Sequence, residues 1–240
     1  MDQYQYQQYA TEIALTLDLL PWETIHEMVQ VLHQARLEGR QIFVMGNGGS
    51  ASTATHMACD LSKNTAAAGT PRFRIMALTD NMALFSALAN DLAYEDVFAE
   101  QLANFLQPGD VVVAISTSGN SPNVLKAVEL ARTSGAFTIG WTGYNGGKLA
   151  RLVDMSIVVP NDCVEQIEDI HMMLEHMATK ALRRLAQRDS AARAFVSPVL
   201  TSGLPEAVAP RPSRNGHSPA VVRPALADLP VEPGDSARQP

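Results

Sequence analysis

The chain has 240 residues, of which 46% are hydrophobic and 18% are charged, and its formal net charge is −7. This length and hydrophobic content allow a buried core in one or two domains. Because there is no basic excess to neutralise phosphates, the charge argues against non-specific binding to nucleic acid. The two cysteines, Cys59 and Cys163, lie far apart in the sequence and form neither a disulfide framework nor a CxxC zinc motif.

We expect a cytoplasmic protein with no nucleic-acid or membrane partner. The first residues, MDQYQYQQYATEIAL, lack the basic and apolar segments of a secretory leader. The sequence also contains no apolar run of the length that a bilayer requires.

The composition of the chain changes near residue 188. Residues 189–240 contain nine of the fourteen prolines and show no sustained helical or strand period. Burial in such a segment cannot offset the entropy lost on ordering, so we predict a disordered, proline-rich tail over 189–240. A solvated extension and a partner-recruiting segment both fit this composition. Residues 1–188 are the predicted folded domain.

Helical and strand-like segments alternate along residues 1–188. The pattern predicts helices at 2–19, 22–38, 51–62, 80–89, 95–106, 122–134, 147–153 and 163–188. Five short apolar runs between them have the character of strands buried on both faces: 41–46, 72–78, 110–116, 137–141 and 155–160. The alternation predicts an α/β fold, a five-stranded parallel sheet flanked by helices in three layers. Ligands of such folds bind beyond the carboxyl ends of the strands.

A glycine-rich turn, GNGGSAS, follows the first predicted strand. Glycines let the backbone approach an anion closely, and the start of the next helix offers free N–H groups. The dinucleotide pattern GxGxxG fits in part, since Gly46 and Gly48 match and Ala51 takes the third position. No GK[ST] follows, so the turn is not a Walker A loop. By itself the turn is compatible with a plain tight connection or with a phosphate cradle.

A second loop, STSGNSPNV, follows the third predicted strand. Its hydroxyl side chains are Ser116, Thr117, Ser118 and Ser121. Ser121 stands at a helix N-cap position, and Pro122 follows at the first helical position. Simple capping would need one serine, whereas four hydroxyls in six residues before a helix favour a site for a phosphate group.

The two loops, about 70 residues apart, resemble those of the sugar isomerase (SIS) domain, whose members bind phosphosugars. The segments THMACDL, LANDLAYEDVF, WTGYNGG and IEDIHMMLEHM are similar to those of the phosphoheptose isomerases within that family. The resemblance extends over about 188 residues and does not include the tail. It implies a ketose–aldose isomerase that acts on sedoheptulose 7-phosphate through an enediol and gives glycero-manno-heptose 7-phosphate.

The spacing of His56 and Asp60 puts both side chains on one face of the helix that begins at the glycine-rich turn. Without the resemblance, a hydrogen bond on a helix surface would explain this pair. The resemblance implies instead a zinc site formed by His56, Asp60, Glu168 and His176. It also implies that Asp60 and His176 are the general acid and base.

Two of these positions depart from the family pattern. Asp60 is one methylene shorter than the glutamate of the family, and Glu168 replaces a glutamine, which makes the metal site more anionic. His171 precedes His176 by five residues and is an alternative ligand. The resemblance further implies substrate contacts through Asn47, Ser50 and Asp91.

Two other functions remain open at this point. The departures at the site would suit another ketose phosphate, and some SIS proteins bind the initiator protein DnaA or sense sugar phosphates without catalysis. The resemblance also implies a homotetramer in which the two N-terminal helices supply much of the subunit contact.

Overall fold

The computed structural model describes residues 3–201, with side chains up to residue 192. The described residues form a five-stranded parallel sheet with the strand order β2-β1-β3-β4-β5. The strands are β1 (Gln41–Gly46), β2 (Arg74–Ala77), β3 (Val111–Ser116), β4 (Phe137–Thr142) and β5 (Met155–Val158). Each lies within a predicted apolar run or differs from it by one residue. The predicted parallel α/β fold is confirmed.

Helices precede, connect and follow the strands as the sequence predicts. They are α1 (Gln3–Asp18), α2 (Trp22–Leu37), α3 (Gly49–Lys63), α4 (Met82–Asp91), α5 (Ala99–Phe105), α6 (Pro122–Thr133), α7 (Leu149–Leu152) and α8 (Val164–Thr201), with a 3₁₀ turn at Tyr94–Asp96. Among the helices within residues 3–201, none has both the length and the apolar character needed to span a bilayer.

The sheet is the middle of three layers because its strands are apolar on both faces. Ile42 and Val44 on β1 pack on one side with buried residues of α1, α2, α3 and α8. Phe43 and Met45, which alternate with them, pack on the other side with residues of α5 and α6. The helix α8 joins the first layer through a stripe of buried residues at helical spacing: Ile167, Ile170, Leu174, Ala178 and Leu182.

The helix α8 continues beyond residue 188, where we predict the tail to begin. Asp189 accepts a hydrogen bond from the buried Arg36 side chain at 2.6 Å, and the Ser190 hydroxyl donates to the carbonyl of Ala68 at 2.6 Å. These contacts explain why residues just after 188 remain part of the helix. The rest of the predicted tail, residues 202–240, lies outside the described residues.

The strand order places the glycine-rich turn and the serine-rich turn side by side. In the parallel pairing of β1 and β3, Gly46 lies opposite Ile115. The chain leaves β1 towards one edge strand and leaves β3 towards the other, so a crevice forms between the two loops. Ligands of open parallel sheets bind at this kind of topological switch point.

Candidate functional site

The glycine loop, residues 46–50, packs tightly against the neighbouring strand. A Cβ atom on Gly46 would approach the carbonyl oxygen of Ile115 to 2.8 Å, so only glycine fits. Gly48 has φ +55°, which favours glycine, and α3 begins directly after it. Ser50 is buried in the first turn of this helix. The backbone N–H groups at the start of α3 therefore lie at the crevice, where an anion would be stabilised.

The serine loop, residues 116–121, presents its hydroxyls beside the start of α6. The hydroxyl oxygens of Ser116 and Ser121 are 3.1 Å apart and share a hydrogen bond, and the Asn120 N–H donates to the Ser118 hydroxyl at 3.2 Å. Ser121 precedes α6 without making a side-chain capping bond to it. Thr117 is half-buried in the same loop. The hydroxyls and the helix start together suit a phosphate group.

A third loop, residues 143–148, holds the serine loop in place. Gly119 has φ +64°, and a side chain on it would collide with the backbone of Gly146. The Gly143 N–H donates to the carbonyl of Thr117 at 2.8 Å, and the Leu149 N–H donates to the carbonyl of Gly119 at 2.9 Å. The glycines of WTGYNGG thus permit backbone-to-backbone packing. Sequence reasoning used this motif only for the resemblance and missed its supporting role.

Asn47 joins the glycine loop to the start of α6. Its side-chain amide donates to the oxygen of Asn123 at 2.9 Å, and the Asn123 amide donates back at 2.9 Å. The Tyr94 hydroxyl also donates to the oxygen of Asn47 at 2.9 Å. Asn123 was not among the predicted residues. These hydrogen bonds fix the relative position of the glycine loop and the start of α6.

The helices α3 and α8 lie side by side and run in the same direction. Contacts between them advance together along both chains: Glu168 packs against Gly49, His176 contacts His56, and Arg183 donates to the carbonyl of Asn64 at 2.7 Å. Both helices therefore carry functional side chains away from the glycine loop along one shared interface.

Four side chains meet on this interface, about two turns beyond the start of α3. The Nε2 atoms of His56 and His176 are 3.1 Å apart. A carboxylate oxygen of Asp60 lies 3.7 Å from the His56 nitrogen. An oxygen of Glu175 lies 3.7 Å from His56 and 3.5 Å from His176. We call His56, Asp60, Glu175 and His176 the four-residue cluster; one ligand atom from each lies within 4.8 Å of the others.

Glu175 is the member of the cluster that sequence reasoning missed. It stands directly before His176 in MLEHM, and on a helix such neighbours do not face the same way. Its backbone position therefore gave no reason to pair it with His56. In the structure it is completely buried, and burial raises the pKa of its carboxyl group, which Thr179 partly offsets by donating a hydrogen bond.

The cluster fits a divalent metal ion. Zinc with nitrogen and oxygen ligands at 2.0–2.1 Å in a tetrahedral arrangement would place those ligand atoms about 3.3 Å from one another. Four of the six separations among these atoms, 3.1, 3.5, 3.7 and 3.7 Å, lie close to this value, and all six are within 4.8 Å. Imidazoles and carboxylates are suitable zinc ligands, and one Glu175 oxygen is buried with no hydrogen-bond partner among the described residues.

Three further candidates lie elsewhere. The Glu168 carboxylate rests against Gly49 at the start of α3, two helical turns before the cluster. His171 is buried beneath the interface with its Nε2 atom 3.2 Å from the carbonyl oxygen of Thr142. Asp91 is exposed at the end of α4 and accepts a hydrogen bond from the amide of Asn90.

Comparison with known proteins gives the family. Residues 5–143 match the model of the SIS domain. The phosphoheptose isomerase of Rhodospirillum rubrum is 40% identical over 153 residues, which are 64% of this chain and 81% of the relative. That of Akkermansia muciniphila is 34% identical over 160 residues, which are 67% of this chain and 84% of the relative.

A solved structure gives the same result. The phosphoheptose isomerase GmhA of Neisseria gonorrhoeae superposes with a TM-score of 0.70 at 28% sequence identity, covering 75% of this chain and 97% of its own. The matched fold, the two loops at the crevice and the sequence relatives agree with one another. The chain belongs to the SIS-domain family and, within it, to the phosphoheptose isomerases.

Proposed function

We propose that the protein converts sedoheptulose 7-phosphate to glycero-manno-heptose 7-phosphate. The observation that carries this proposal is the meeting of His56, Asp60 and His176 on the interface that leads away from the phosphate loops. His56 lies seven residues beyond Gly49, about 10 Å along α3 at the rise of an α-helix. A sugar chain can span this distance with its phosphate in the loops and its carbonyl at the cluster.

The phosphate loops would hold one end of the substrate. Hydroxyls and helix N-termini supply neutral donors to a phosphate dianion. The proposed ligands are Ser50, Ser116, Thr117, Ser118 and Ser121. Asn47 would act at the same place and Asp91 at the sugar hydroxyls, as the family resemblance implies.

Asp60 and His176 would exchange protons with the other end of the substrate. One proton leaves C1 of the ketose as O2 gains one, which gives an enediol. A proton then returns to C2 as O1 loses one, so the aldose has the same composition and no oxidant is needed. A zinc ion bound at the cluster would polarise the carbonyl and hydroxyl oxygens. The family resemblance assigns this ion His56, Asp60 and His176, which belong to the cluster, and Glu168, which does not.

Isomerisation and proton exchange test this function together. We expect wild-type protein to isomerise sedoheptulose 7-phosphate and to incorporate deuterium at the exchanged carbon in D₂O, followed by NMR. Asp60→Asn removes a proton-transferring group and should lower kcat about 10²–10⁴-fold. Cys59→Ser is the matched control, because Cys59 is the exposed neighbour of Asp60 outside the cluster and should keep wild-type turnover.

The other outcomes of this experiment are equally defined. Faster turnover of a five- or six-carbon ketose phosphate would replace the heptose as substrate and would fit the shortened Asp60. Neither isomerisation nor exchange with any of them would leave a sugar-phosphate-binding protein.

We also infer a cytoplasmic homotetramer. Large apolar side chains are exposed on and just after α1, among them Tyr4, Leu15 and Leu19, as subunit contacts would require. Both cysteines are free, and Cys59 is exposed, which suits a reducing compartment. Light scattering measures the number of chains.

A further inference from the structure

The side chain of Glu175 is buried beside the rings of His56 and His176. Its exposed fraction is 0%, and its Oε1 atom accepts a hydrogen bond of 2.8 Å from the buried Thr179 hydroxyl. That bond directs Oε2 towards the ring nitrogens of His56 and His176, at 3.7 and 3.5 Å. No donor among the described residues reaches Oε2. A buried carboxylate oxygen without a partner is costly unless a cation lies beside it.

Glu168, the other candidate carboxylate on α8, does not lie at the four-residue cluster. It precedes Glu175 by seven residues, and its carboxylate lies against Gly49 at the start of α3. The carboxylates of Asp60 and Glu175 lie within 4.8 Å of the imidazole nitrogens of His56 and His176, and their two negative charges would balance a divalent ion. A third carboxylate would leave the site with an excess negative charge, which burial disfavours.

We propose that Glu175, and not Glu168, is the metal-binding carboxylate of α8, and that Thr179 is the positioning residue that orients it. The proposal rests on the proposed function in one respect, that a divalent metal occupies the cluster. His56, Glu175 and His176 provide three protein donors, the usual number at a catalytic zinc. Asp60 is then available to exchange a proton with the sugar.

Metal affinity measured without substrate tests the assignment. Zinc would be titrated against a chromogenic chelator, and cobalt binding would be followed by its visible absorption, which reports coordination. We expect Glu175→Gln to weaken zinc binding by at least about 100-fold, more than the 10–100-fold typical of groups that only orient a ligand. Glu168→Gln, the matched change on the same helix, should leave zinc affinity and the cobalt spectrum unchanged.

Thr179 is tested by a pair of variants. Thr179→Val keeps the shape of the side chain and removes the hydroxyl, so zinc affinity should fall about 10-fold. Thr179→Ser keeps the hydroxyl and should restore the affinity. A merely structural role would instead make the smaller serine the more damaging change.

The melting temperatures of the metal-free proteins show whether a loss of zinc affinity comes from a folding defect. Metal-free Glu175→Gln should melt at or above the wild-type temperature, because the change removes a buried charge. Added zinc should raise the melting temperature of the wild type and not that of the variant. If Glu175→Gln does not fold, Glu175→Met fills the same volume and takes its place in the titration.

Three results would overturn the assignment. They are a loss of affinity in Glu168→Gln with none in Glu175→Gln, equal affinity in all variants, and a wild-type protein that binds no zinc or cobalt. Turnover of the wild type, measured separately, decides the proposed function. An active enzyme with an unaffected Glu175→Gln site would disprove this assignment alone.

Discussion

Two histidines of α8, five residues apart, have opposite environments. His176 is exposed at the interface with α3, whereas His171 points into the protein below the end of β4. Its Nε2 atom lies 3.2 Å from the Thr142 carbonyl oxygen, so the neutral ring with a proton on Nε2 donates that hydrogen bond. Burial lowers the pKa of His171 to about 4. This residue is therefore neutral in the folded protein and serves packing.

The depressed pKa of His171 predicts a loss of stability in acid. The unfolded chain takes up a proton near pH 6.5 and the folded chain only near pH 4, so stability is complete above 6.5 and falls as the pH drops between these values. Between pH 7 and pH 5 we expect His171 to cost about 2 kcal/mol of unfolding free energy. Urea unfolding of the wild type and of His171→Gln at both pH values measures it.

The glutamine variant is the reference for this experiment, since it can donate to the same carbonyl and does not titrate. Other groups change protonation in both proteins, so the difference between the two pH dependences isolates His171. Parallel stability curves would show that the histidine is protonated equally in the folded and unfolded states.

The sequence could identify the types of site residue but not all of their positions. His56 and Asp60 were predicted as a pair because i, i+4 residues share a helical face, and the structure brings both together with His176. Glu175 and the location of Glu168 depend on how α8 is rotated against α3. That rotation is set by core packing between distant segments, and the residue spacing within one helix does not predict it.

At the scale of elements, the serine loop depends on a neighbouring loop for its shape. The strands β3 and β4 are adjacent, so the residues that follow them pack against each other. A Cβ atom on Gly119 would collide with the backbone of Gly146 and Gly147, whereas a Cβ atom on Gly48 would meet no atom of the described residues within 4 Å. Both have positive φ values, +64° and +55°. A substitution at Gly48 would therefore introduce backbone strain alone, whereas a substitution at Gly119 would introduce strain and a collision.

Alanine substitutions at these two glycines should differ in cost. Gly48→Ala carries only the backbone strain of a side chain at φ +55° and ψ −122°, and should destabilise the fold by about 1–3 kcal/mol. Gly119→Ala adds a collision with fixed backbone, so we expect a loss clearly greater than that of Gly48→Ala, about 3 kcal/mol or more. Denaturant unfolding of both variants measures the difference. Equal losses would mean that the loop after β4 moves aside without cost.

The elements themselves were largely predictable from sequence. The strands are continuous apolar runs, because both faces of the sheet are covered, and such runs are easily recognised. Ser121 and Pro122 marked the start of α6 to the residue. The contact between the serine loop and WTGYNGG was not predictable in this way, since it depends on strand order.

At the scale of the whole molecule, α1 presents apolar side chains that the described chain does not cover. The exposed fractions of Leu15 on α1 and of Leu19 just after it are 61% and 68%, whereas Ile13 and Thr16 on α1 are buried. One face of α1 thus docks on the domain, and the other is available to a second copy of the chain.

A charge on the outer face of α1 should weaken the proposed tetramer. We expect wild-type protein to have four times the chain mass of 25.9 kDa by light scattering. Leu15→Glu should shift the population to smaller species, because association would bury an unpaired carboxylate. Thr133→Glu, at the exposed end of α6 in the opposite layer, is the control and should keep the wild-type mass. A wild-type monomer would contradict the proposed assembly.

The extent of the folded domain was predicted less well than its elements. Residues 189–201 belong to α8, with Asp189 bound to Arg36. The density of prolines indicated the end of the folded domain near residue 188. Composition could not reveal the contact between Arg36 and Asp189, which lie 153 positions apart.

The cluster is formed by α3 and α8, which are far apart in the sequence, and this has a consequence for biosynthesis. The ribosome produces His56 and Asp60 early and must add more than a hundred residues before Glu175 and His176 emerge. A nascent or truncated polypeptide that lacks α8 would contain only His56 and Asp60 of the cluster, so it could not form the complete metal site. Metal uptake at the proposed site would therefore have to follow the synthesis of α8.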